Sequence, residues 1–120
     1  MSVMNVRFKS AIPKLASADI GRSIAFYRQL GFSRSAEYPE YGIVEHDGVE
    51  IHFWLCTDPH IAQATGCRIN VADIGQLFDT YSALGVIHPN DPLSVKPWGL
   101  HEFSILDPDG NLVTFAEKIS

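Results

Sequence analysis

Two groups of side chains in this sequence combine residue types and spacing that could bind a ligand. Glu50, His52 and Trp54 alternate with the apolar residues Ile51 and Phe53, so in a β-strand they share one face. A carboxylate, an imidazole and an indole on one face can bind a metal ion, transfer a proton or stack on an aromatic ligand. The sequence therefore poses a choice between a metal centre and an aromatic binding surface.

The second group lies further along the chain. Arg68 occupies the same kind of alternating position on a later predicted strand, and Trp98 stands between Pro97 and Gly99 in a loop. An antiparallel sheet commonly leaves such a face in water, so simple solvent exposure is one interpretation. The other interpretation is that two such faces line a shared cleft, which requires two equivalent sheets.

The sequence contains two copies of one supersecondary unit. The segment Ala18 to Gly21 recurs 54 residues later as Ala72 to Gly75, and the same offset relates three further residues of the predicted helices. These pairs are Tyr27 with Tyr81, Leu30 with Leu84 and Gly31 with Gly85. A second repeat, offset by 62 residues, relates Asp47-Gly48 to Asp109-Gly110. Agreement in both register and turn residues indicates an internal duplication, so two equivalent sheets could curl until their faces line one cleft.

Each copy is predicted to form a βαβββ module, which gives an α+β fold class. In module one, residues 7–55, we predict strands at Arg7–Leu15, Phe32–Tyr38, Tyr41–Glu45 and Val49–Leu55, with a helix capped by Ser17 or Asp19 and ended by Gly31. In module two, residues 66–117, we predict strands at Cys67–Val71, Val86–His88, His101–Leu106 and Asn111–Glu117, with a helix at Ile74–Leu84. A loop is expected at 89–99. The whole chain, residues 1–120, is predicted to be a single domain.

Composition and charge narrow the classes of partner. Nine Lys and Arg residues against 14 Asp and Glu give a net charge of −5, which disfavours a nucleic-acid partner and allows a cationic ligand. No stretch reaches the roughly 18 apolar residues of a membrane helix, and no signal-peptide pattern is present, so we expect a cytoplasmic protein without membrane contact. Cys56 and Cys67 are predicted to be buried thiols without a catalytic role.

Paired βαβββ modules with Asp-Pro-Asp-Gly at residues 107–110 resemble the vicinal-oxygen-chelate superfamily, which includes glyoxalase I, extradiol dioxygenases, and fosfomycin and bleomycin resistance proteins. Its metalloenzymes take His, Gln or Glu ligands from the first and last strands of each module. The resemblance places those positions at Ile12, His52, Gly66 and Thr114, of which only His52 is a good ligand. We therefore expect no metal and no cofactor, unless a shift of the alignment by two residues brings Glu50 beside His52 as a second ligand.

Within the superfamily, the sequence most resembles the bleomycin resistance proteins. The segments that carry the resemblance are Ala11-Ile12-Pro13, Ala25-Phe26-Tyr27, Leu30 to Arg34, and Pro97-Trp98-Gly99 followed by Glu102-Phe103. In that family a tryptophan stacks on the flat bithiazole of the drug, and Trp98 is the matching residue. The other stacking positions fall on Tyr41 and on Ala36, with Tyr38 near enough to supply the missing ring. The implied ligand surface consists of Trp98, Tyr41, Tyr38, His52, Trp54, Glu50 and Arg68.

The same resemblance implies a protein that binds a bleomycin-family antibiotic and confers resistance by stoichiometric sequestration, without chemical modification. It also implies a homodimer that exchanges its N-terminal strand and holds two ligands between subunits. Three alternatives stay open: a metal-dependent glyoxalase-like or dioxygenase-like enzyme using His52 and Glu50, a binder of another planar cationic small molecule, and a structural or regulatory dimer with an empty cleft.

Overall fold

The protein consists of two four-stranded sheets, each with a helix, in a computed structural model that describes residues 5–119. The first module contains β1 (Lys14–Ser17), α1 (Ile20–Gln29), β2 (Ser33–Tyr38), β3 (Tyr41–His46) and β4 (Val49–Leu55). The second contains β5 (Gly66–Asn70), α3 (Ile74–Ala83), β6 (Ser94–Val95), β7 (Leu100–Leu106) and β8 (Leu112–Lys118), after a connecting helix α2 (Pro59–Gln63). The strand orders are β1-β4-β3-β2 and β5-β8-β7-β6. The predicted α+β fold with duplicated βαβββ modules is confirmed.

The two main helices begin with different capping chemistry although their sequences repeat. Asp19 caps α1, because its side chain accepts a hydrogen bond of 3.1 Å from the backbone N–H of Arg22. The equivalent Asp73 has a left-handed backbone, with φ of 57°, and makes no such bond. The carboxylate of Glu117 instead accepts hydrogen bonds from the backbone N–H groups of Asp73 and Ile74. The duplicated sequence therefore specifies the helix but not which side chain accepts hydrogen bonds from the backbone N–H groups at its start.

A hydrophobic core lies between the helices and the covered faces of both sheets. Ile51 and Phe53 of β4 are fully buried, as the alternation along that strand predicts. Val49 and Leu55, at the two ends of the same strand, are more than a third exposed. Aromatic rings of both modules pack in edge and tilted contacts, with Tyr27 against Phe53 and Tyr81 against Phe115. α1 packs on β2, β3 and β4, and α3 packs on β7 and β8.

The two modules are joined by a polar network around the Asp-Pro-Asp-Gly-Asn turn of the second module. The Tyr27 hydroxyl donates to Asp107, Arg22 forms an ion pair of 2.7 Å with Asp109, and the Asn111 amide donates to the Ala16 carbonyl. Burial raises the pKa of Asp107 above its ordinary value, against hydrogen bonds from Asn111 and Tyr27 that act to lower it. The turn motif that suggested the family thus has a structural role, which is to hold module two onto module one.

The predicted first strand is wrong in its position. β1 begins at Lys14 rather than Arg7, and residues 5–13 belong to no strand of this chain. Pro13 has no N–H to donate to a ladder, although its carbonyl accepts a hydrogen bond from the His52 N–H. Val6 and Phe8, which precede it, are 70% and 84% exposed. A segment with exposed apolar side chains therefore precedes β1 at the edge of the first sheet.

Two other local predictions differ from the structure. Ile87 makes only an isolated bridge to Ile105, so the predicted strand 86–88 is not formed. The edge strand β6 lies instead within the predicted loop 89–99. The connection 56–65 contains the short helix α2, capped by Asp58 with Pro59 at its first position.

Within residues 5–119, none of the helices is long and apolar enough to cross a membrane.

Candidate ligand-binding site

One side of the first sheet, here called the aromatic face, carries the rings of Tyr38, Tyr41, His52 and Trp54. Strand register places Tyr41 opposite Trp54 and Tyr38, and places His52 opposite Ile43 and Lys14. Side chains directly opposite each other on paired strands share a face. The aromatic face consists of Lys14, Ala36, Tyr38, Tyr41, Ile43, Glu50, His52 and Trp54. Half of these eight side chains are aromatic or imidazole rings, and all eight are half-buried or exposed.

Three of these residues form a hydrogen-bonded chain across β3 and β4. The Tyr41 hydroxyl lies 2.7 Å from Nδ1 of His52, and Nε2 of the same ring lies 2.8 Å from Oε1 of Glu50. A neutral imidazole satisfies both contacts if Tyr41 donates to Nδ1 and Nε2–H donates to Glu50. The Lys14 ammonium lies 5.8 Å from the centre of the Tyr41 ring. Tyr41 is thereby held in one orientation with its hydroxyl already occupied, so it can offer a ligand mainly its ring.

Tyr38 and Trp54 flank this chain without joining it. Tyr38 ends β2, on the other side of the Pro39-Glu40 turn from Tyr41, and is 61% exposed. Trp54 is half-buried and lies opposite Tyr41 on the neighbouring strand. Ala36 lies opposite Ile43, where its small side chain leaves the face without a ring. The aromatic face therefore has a gap bordered by Tyr38 and Tyr41.

The open side of the second sheet, here called the polar face, carries different chemistry. Arg68 lies opposite Thr114, Thr114 opposite Ser104, and Glu102 opposite both Ser94 and Ala116. The polar face consists of Arg68, Asn70, Ser94, Glu102, Ser104 and Thr114. Its side chains offer hydrogen bonds and charge, whereas the aromatic face offers rings.

Trp98 stands above the polar face on the tight turn between β6 and β7. The Gly99 N–H donates to the Lys96 carbonyl, and the Lys96 N–H donates 2.7 Å to the Leu100 carbonyl. Pro97 fixes its own φ and Gly99 has φ of +84°, a combination typical of a three-residue hairpin loop. The Trp98 ring is 61% exposed, and its Nε1–H donates a hydrogen bond of 2.8 Å to Oε2 of Glu102. The ring is thus solvent-accessible but tethered.

Glu102 is the site residue that the sequence prediction missed. It is only 3% exposed, and its Oε2 also accepts a hydrogen bond of 2.7 Å from Arg68. Burial acts to raise the pKa of Glu102, but hydrogen bonds from Trp98 and Arg68, with the charge of Arg68, outweigh it and hold the pKa below its usual value. Strand alternation could have identified this residue, since it places Glu102 on the face opposite Phe103.

The loop that carries Trp98 is fixed at a second point. Asp91 accepts hydrogen bonds from Lys96 and from the Ser104 hydroxyl, and Ser104 is also bonded to the Thr114 hydroxyl at 2.9 Å. Burial acts to raise the pKa of Asp91, but the bonds from Lys96 and Ser104 outweigh it and lower the pKa. The loop therefore has a side-chain anchor on the sheet at each end.

A cavity between the modules is bordered by side chains from both faces. Glu50 of the aromatic face and Arg68 of the polar face both line a cavity of about 370 Å³, together with Asn70 and residues 10–13. The structure thus groups the predicted residues into a Tyr41–His52–Glu50 chain and an Arg68–Glu102–Trp98 cluster. Tyr38 and Trp54 lie on the aromatic face without a side-chain hydrogen bond to either group.

Comparison with known proteins identifies the family. The model of the Glyoxalase/Bleomycin resistance protein/Dioxygenase superfamily matches residues 11–115. The chain belongs to this superfamily. The predicted resemblance is therefore confirmed, and the match spans most of both modules.

Individual members of the superfamily are similar along nearly their whole length. Bleomycin resistance proteins from Geobacillus stearothermophilus and Staphylococcus aureus are each 32% identical to this chain, covering 91% of it and 96% of the relative. Among solved structures, the bleomycin-binding protein of bleomycin-producing Streptomyces verticillus, in complex with copper(II)-bleomycin, has a TM-score of 0.83 at 25% identity, covering 96% of this chain and 98% of that one. A bleomycin resistance determinant encoded on transposon Tn5 has a TM-score of 0.81 at 23% identity, over 92% and 98% of the two chains.

The superfamily includes metalloenzymes, but the residues at the corresponding positions of this chain do not fit a metal centre. Both ring nitrogens of His52 are hydrogen-bonded, to Tyr41 and to Glu50. Gly66 has no donor atom, and a Cβ added there would overlap the Leu112 carbonyl oxygen, so no larger side chain fits. Across residues 5–119, no group of three or more His, Cys, Asp and Glu side chains could hold a metal ion. We therefore derive no metal chemistry from this donor set.

Proposed function

We propose that this protein binds a bleomycin-type antibiotic and confers resistance by sequestering it stoichiometrically. The observation that carries the proposal is the mounting of Trp98: its ring is exposed, while the turn and Glu102 restrict its orientation. Stacking a planar heteroaromatic group on a ring that is already ordered costs little conformational entropy. The bleomycin resistance proteins that are 32% identical support the choice of drug class.

The proposed mechanism is binding alone, without chemical change to the drug, so the protein is not an enzyme. Bound drug is kept away from DNA. The side chains of the two faces are rings, an ion pair and hydroxyls engaged in hydrogen bonds, which suit recognition. Burial raises the pKa of the Cys67 thiol to about 11, so this residue is not an activated nucleophile at neutral pH.

Charge supports a cationic ligand. A net charge of −5 attracts the cationic tail of a bleomycin-type drug and repels nucleic acid. Because such long-range attraction is screened by salt, association should slow as ionic strength rises. We accordingly propose a small-molecule partner and no nucleic-acid or membrane partner.

The functional form is proposed to be a homodimer with exchanged N-terminal segments. Val6 and Phe8 expose apolar side chains on a segment that pairs with no strand of this chain. Packing of these side chains against a second copy would remove apolar surface from water. An exchange of this kind places ligand grooves between subunits, each groove combining the aromatic face of one copy with the polar face of the other.

Two further expectations stay proposals. We propose that residues 1–120 form a single domain, because side chains of both modules share one hydrophobic cluster. We also propose a cytoplasmic location, which accords with the two free thiols of Cys56 and Cys67. These cysteines are half-buried rather than fully buried as the sequence suggested.

One observation favours a different planar cation as the ligand. Ala36 leaves a gap on the aromatic face where the family resemblance expects a ring. A ligand with a broader ring system than bithiazole would fill that gap, and Tyr38 borders it. Such a compound would displace bleomycin or bind in its place.

The deciding experiment is a calorimetric titration of metal-stripped protein with metal-free bleomycin, repeated with copper-loaded drug. We expect saturable binding at one drug per subunit. No heat and no change in tryptophan fluorescence at drug concentrations well above micromolar would refute the proposal. Binding of a different planar cation under the same conditions would identify the second candidate.

A further inference from the structure

The orientation of the Trp98 ring needs a cause beyond its turn. The hairpin between Lys96 and Leu100 fixes the backbone, but χ1 and χ2 of an exposed tryptophan remain free to rotate unless the side chain itself is held. The single polar atom of the ring, Nε1, is bonded to Glu102. Among the contacts within residues 5–119, the Trp98 side chain makes no other hydrogen bond. The carboxylate therefore determines which way the ring plane lies.

Glu102 can act in this way because it is itself fixed. One oxygen, Oε2, accepts both the indole N–H and the Arg68 guanidinium N–H, at 2.8 and 2.7 Å. Hydrogen bonds to an ionised acceptor are shorter and stronger than neutral ones. The Glu102 side chain is 5% exposed, whereas that of Arg68 is 45% exposed. Water competes weakly for hydrogen bonds at the buried carboxylate. Glu102 is therefore held firmly, while the side chains of Arg68 and Trp98 that bind it remain accessible to a ligand.

We propose that Glu102 is a positioning residue for ligand stacking: it sets the plane of the Trp98 ring, and Arg68 holds Glu102 in place. This proposal rests on the proposed function, because it gives the ring plane a purpose only if a flat ligand stacks there. It also changes the role of Arg68 from direct contact with the drug to support of the stacking ring. The fixed plane of the Trp98 ring favours a ligand whose planar group can stack parallel to it.

The positioning role is tested first without any ligand. In a Trp54→Phe background, Trp98 is the one remaining tryptophan, so its indole N–H resonance and its fluorescence anisotropy report on that ring alone. Glu102→Ala should shift the indole resonance, speed its hydrogen exchange about tenfold or more and lower the anisotropy, since the charged acceptor is lost. Glu102→Gln keeps an acceptor oxygen and should give smaller changes.

A matched control separates the local effect from a change in overall charge. Asp79→Asn makes the same carboxylate-to-amide change at an exposed residue of α3 and should leave the indole signals unchanged. Urea denaturation of each variant verifies that it is folded before the comparison is made. Unchanged indole signals in folded Glu102→Ala would overturn the proposal, because the turn alone would then orient the ring.

Ligand titration tests the consequence for binding. Glu102→Ala should bind metal-free bleomycin about tenfold more weakly and Arg68→Lys several-fold more weakly, since each loosens a hydrogen-bonded support. If Glu102→Ala makes the Trp98 ring more mobile but binds the drug with wild-type affinity, the proposal is also overturned, because positioning of the ring would not matter for stacking. If the wild-type protein does not bind bleomycin, the proposed function fails, while the ligand-free measurements still decide whether Glu102 orients Trp98.

Discussion

The Tyr27 hydroxyl of the first module donates a hydrogen bond of 2.9 Å to Oδ2 of Asp107 in the second, and both residues are buried. Tyr81, the repeat equivalent of Tyr27, donates in the reverse sense, from the second module to the Leu30 carbonyl of the first at 2.7 Å. The duplicated tyrosines thus each reach across the module interface. Such contacts hold the two sheets in a fixed relationship.

Replacing Tyr27 by Phe should lower the free energy of unfolding by about 2 kcal/mol, because it removes a buried hydrogen bond to a carboxyl group. Urea denaturation followed by circular dichroism measures the change. The matched control is Tyr38→Phe, which removes an exposed hydroxyl and should alter stability by less than about 0.5 kcal/mol. Equal effects of the two substitutions would show that the interface hydrogen bond adds nothing.

Acid should reduce the contribution of Glu102 to stability. Its pKa in the folded protein lies below the ordinary value of 4.5, so ionised Glu102 stabilises the fold above that pH and loses this contribution as pH falls through the folded-state pKa. The difference in urea midpoint between wild type and Glu102→Gln should therefore shrink from pH 7 to pH 3. Asp107, whose pKa is shifted upward, is present in both proteins and cancels from the comparison. A difference that stays constant with pH would contradict the assignment.

Trp98→Ala should weaken bleomycin binding by roughly tenfold to a hundredfold, because it removes both the stacking contribution and the apolar area of the ring. Calorimetry is the suitable measurement, since the substitution also removes a fluorophore. The variant should unfold at nearly the wild-type urea concentration, because the ring is mostly exposed. Undiminished affinity would remove Trp98 from the site.

Phe8→Ser should weaken self-association, because the exposed ring is proposed to be buried against a second copy. Loss of a buried phenylalanine side chain costs about 3 kcal/mol or more, which corresponds to a dissociation constant raised at least about a hundredfold. Sedimentation equilibrium measures it, with Val95→Ser as a control at another exposed apolar residue. A monomeric wild-type protein would exclude strand exchange at the concentrations tested.

His52→Ala should leave the metal content of the purified protein unchanged, since both nitrogens of the ring are engaged with Tyr41 and Glu50. Elemental analysis of both proteins after equilibration with zinc and with nickel is the measurement. Loss of a stoichiometric ion from the variant would support the enzyme alternative instead.

The modules were predictable because their signals are local and occur twice. Asp19 and Gly31 bound α1 as expected, and the ends of β3 and β4 lie within one residue of their predicted positions. The strand expected at Arg7–Leu15 failed because a local sequence shows only that a segment can pair, whereas a strand also needs a neighbour. The two-residue strand at Ser94–Val95 is too short to leave a periodic pattern.

The site was predictable only in part. Pro97 and Gly99 flank Trp98 in the sequence, so a rigid mounting could be inferred from neighbours. The role of Glu102 depends on Arg68, which lies 34 residues earlier and approaches only when β5, β8 and β7 pair. The Tyr41–His52 bond likewise depends on the register of an antiparallel pair. Contacts that arise from strand pairing are not encoded in any single segment.

Gly66 shows how this fold restricts the protein's possible descendants. The Leu112 carbonyl oxygen occupies the space that any Cβ at residue 66 would need. A mutation to His or Glu there would have to displace β8 before the new side chain could serve any purpose. A single substitution at residue 66 therefore cannot supply a metal ligand without a movement of the neighbouring strand, so the backbone itself opposes the change from a binding protein to a metalloenzyme at this position.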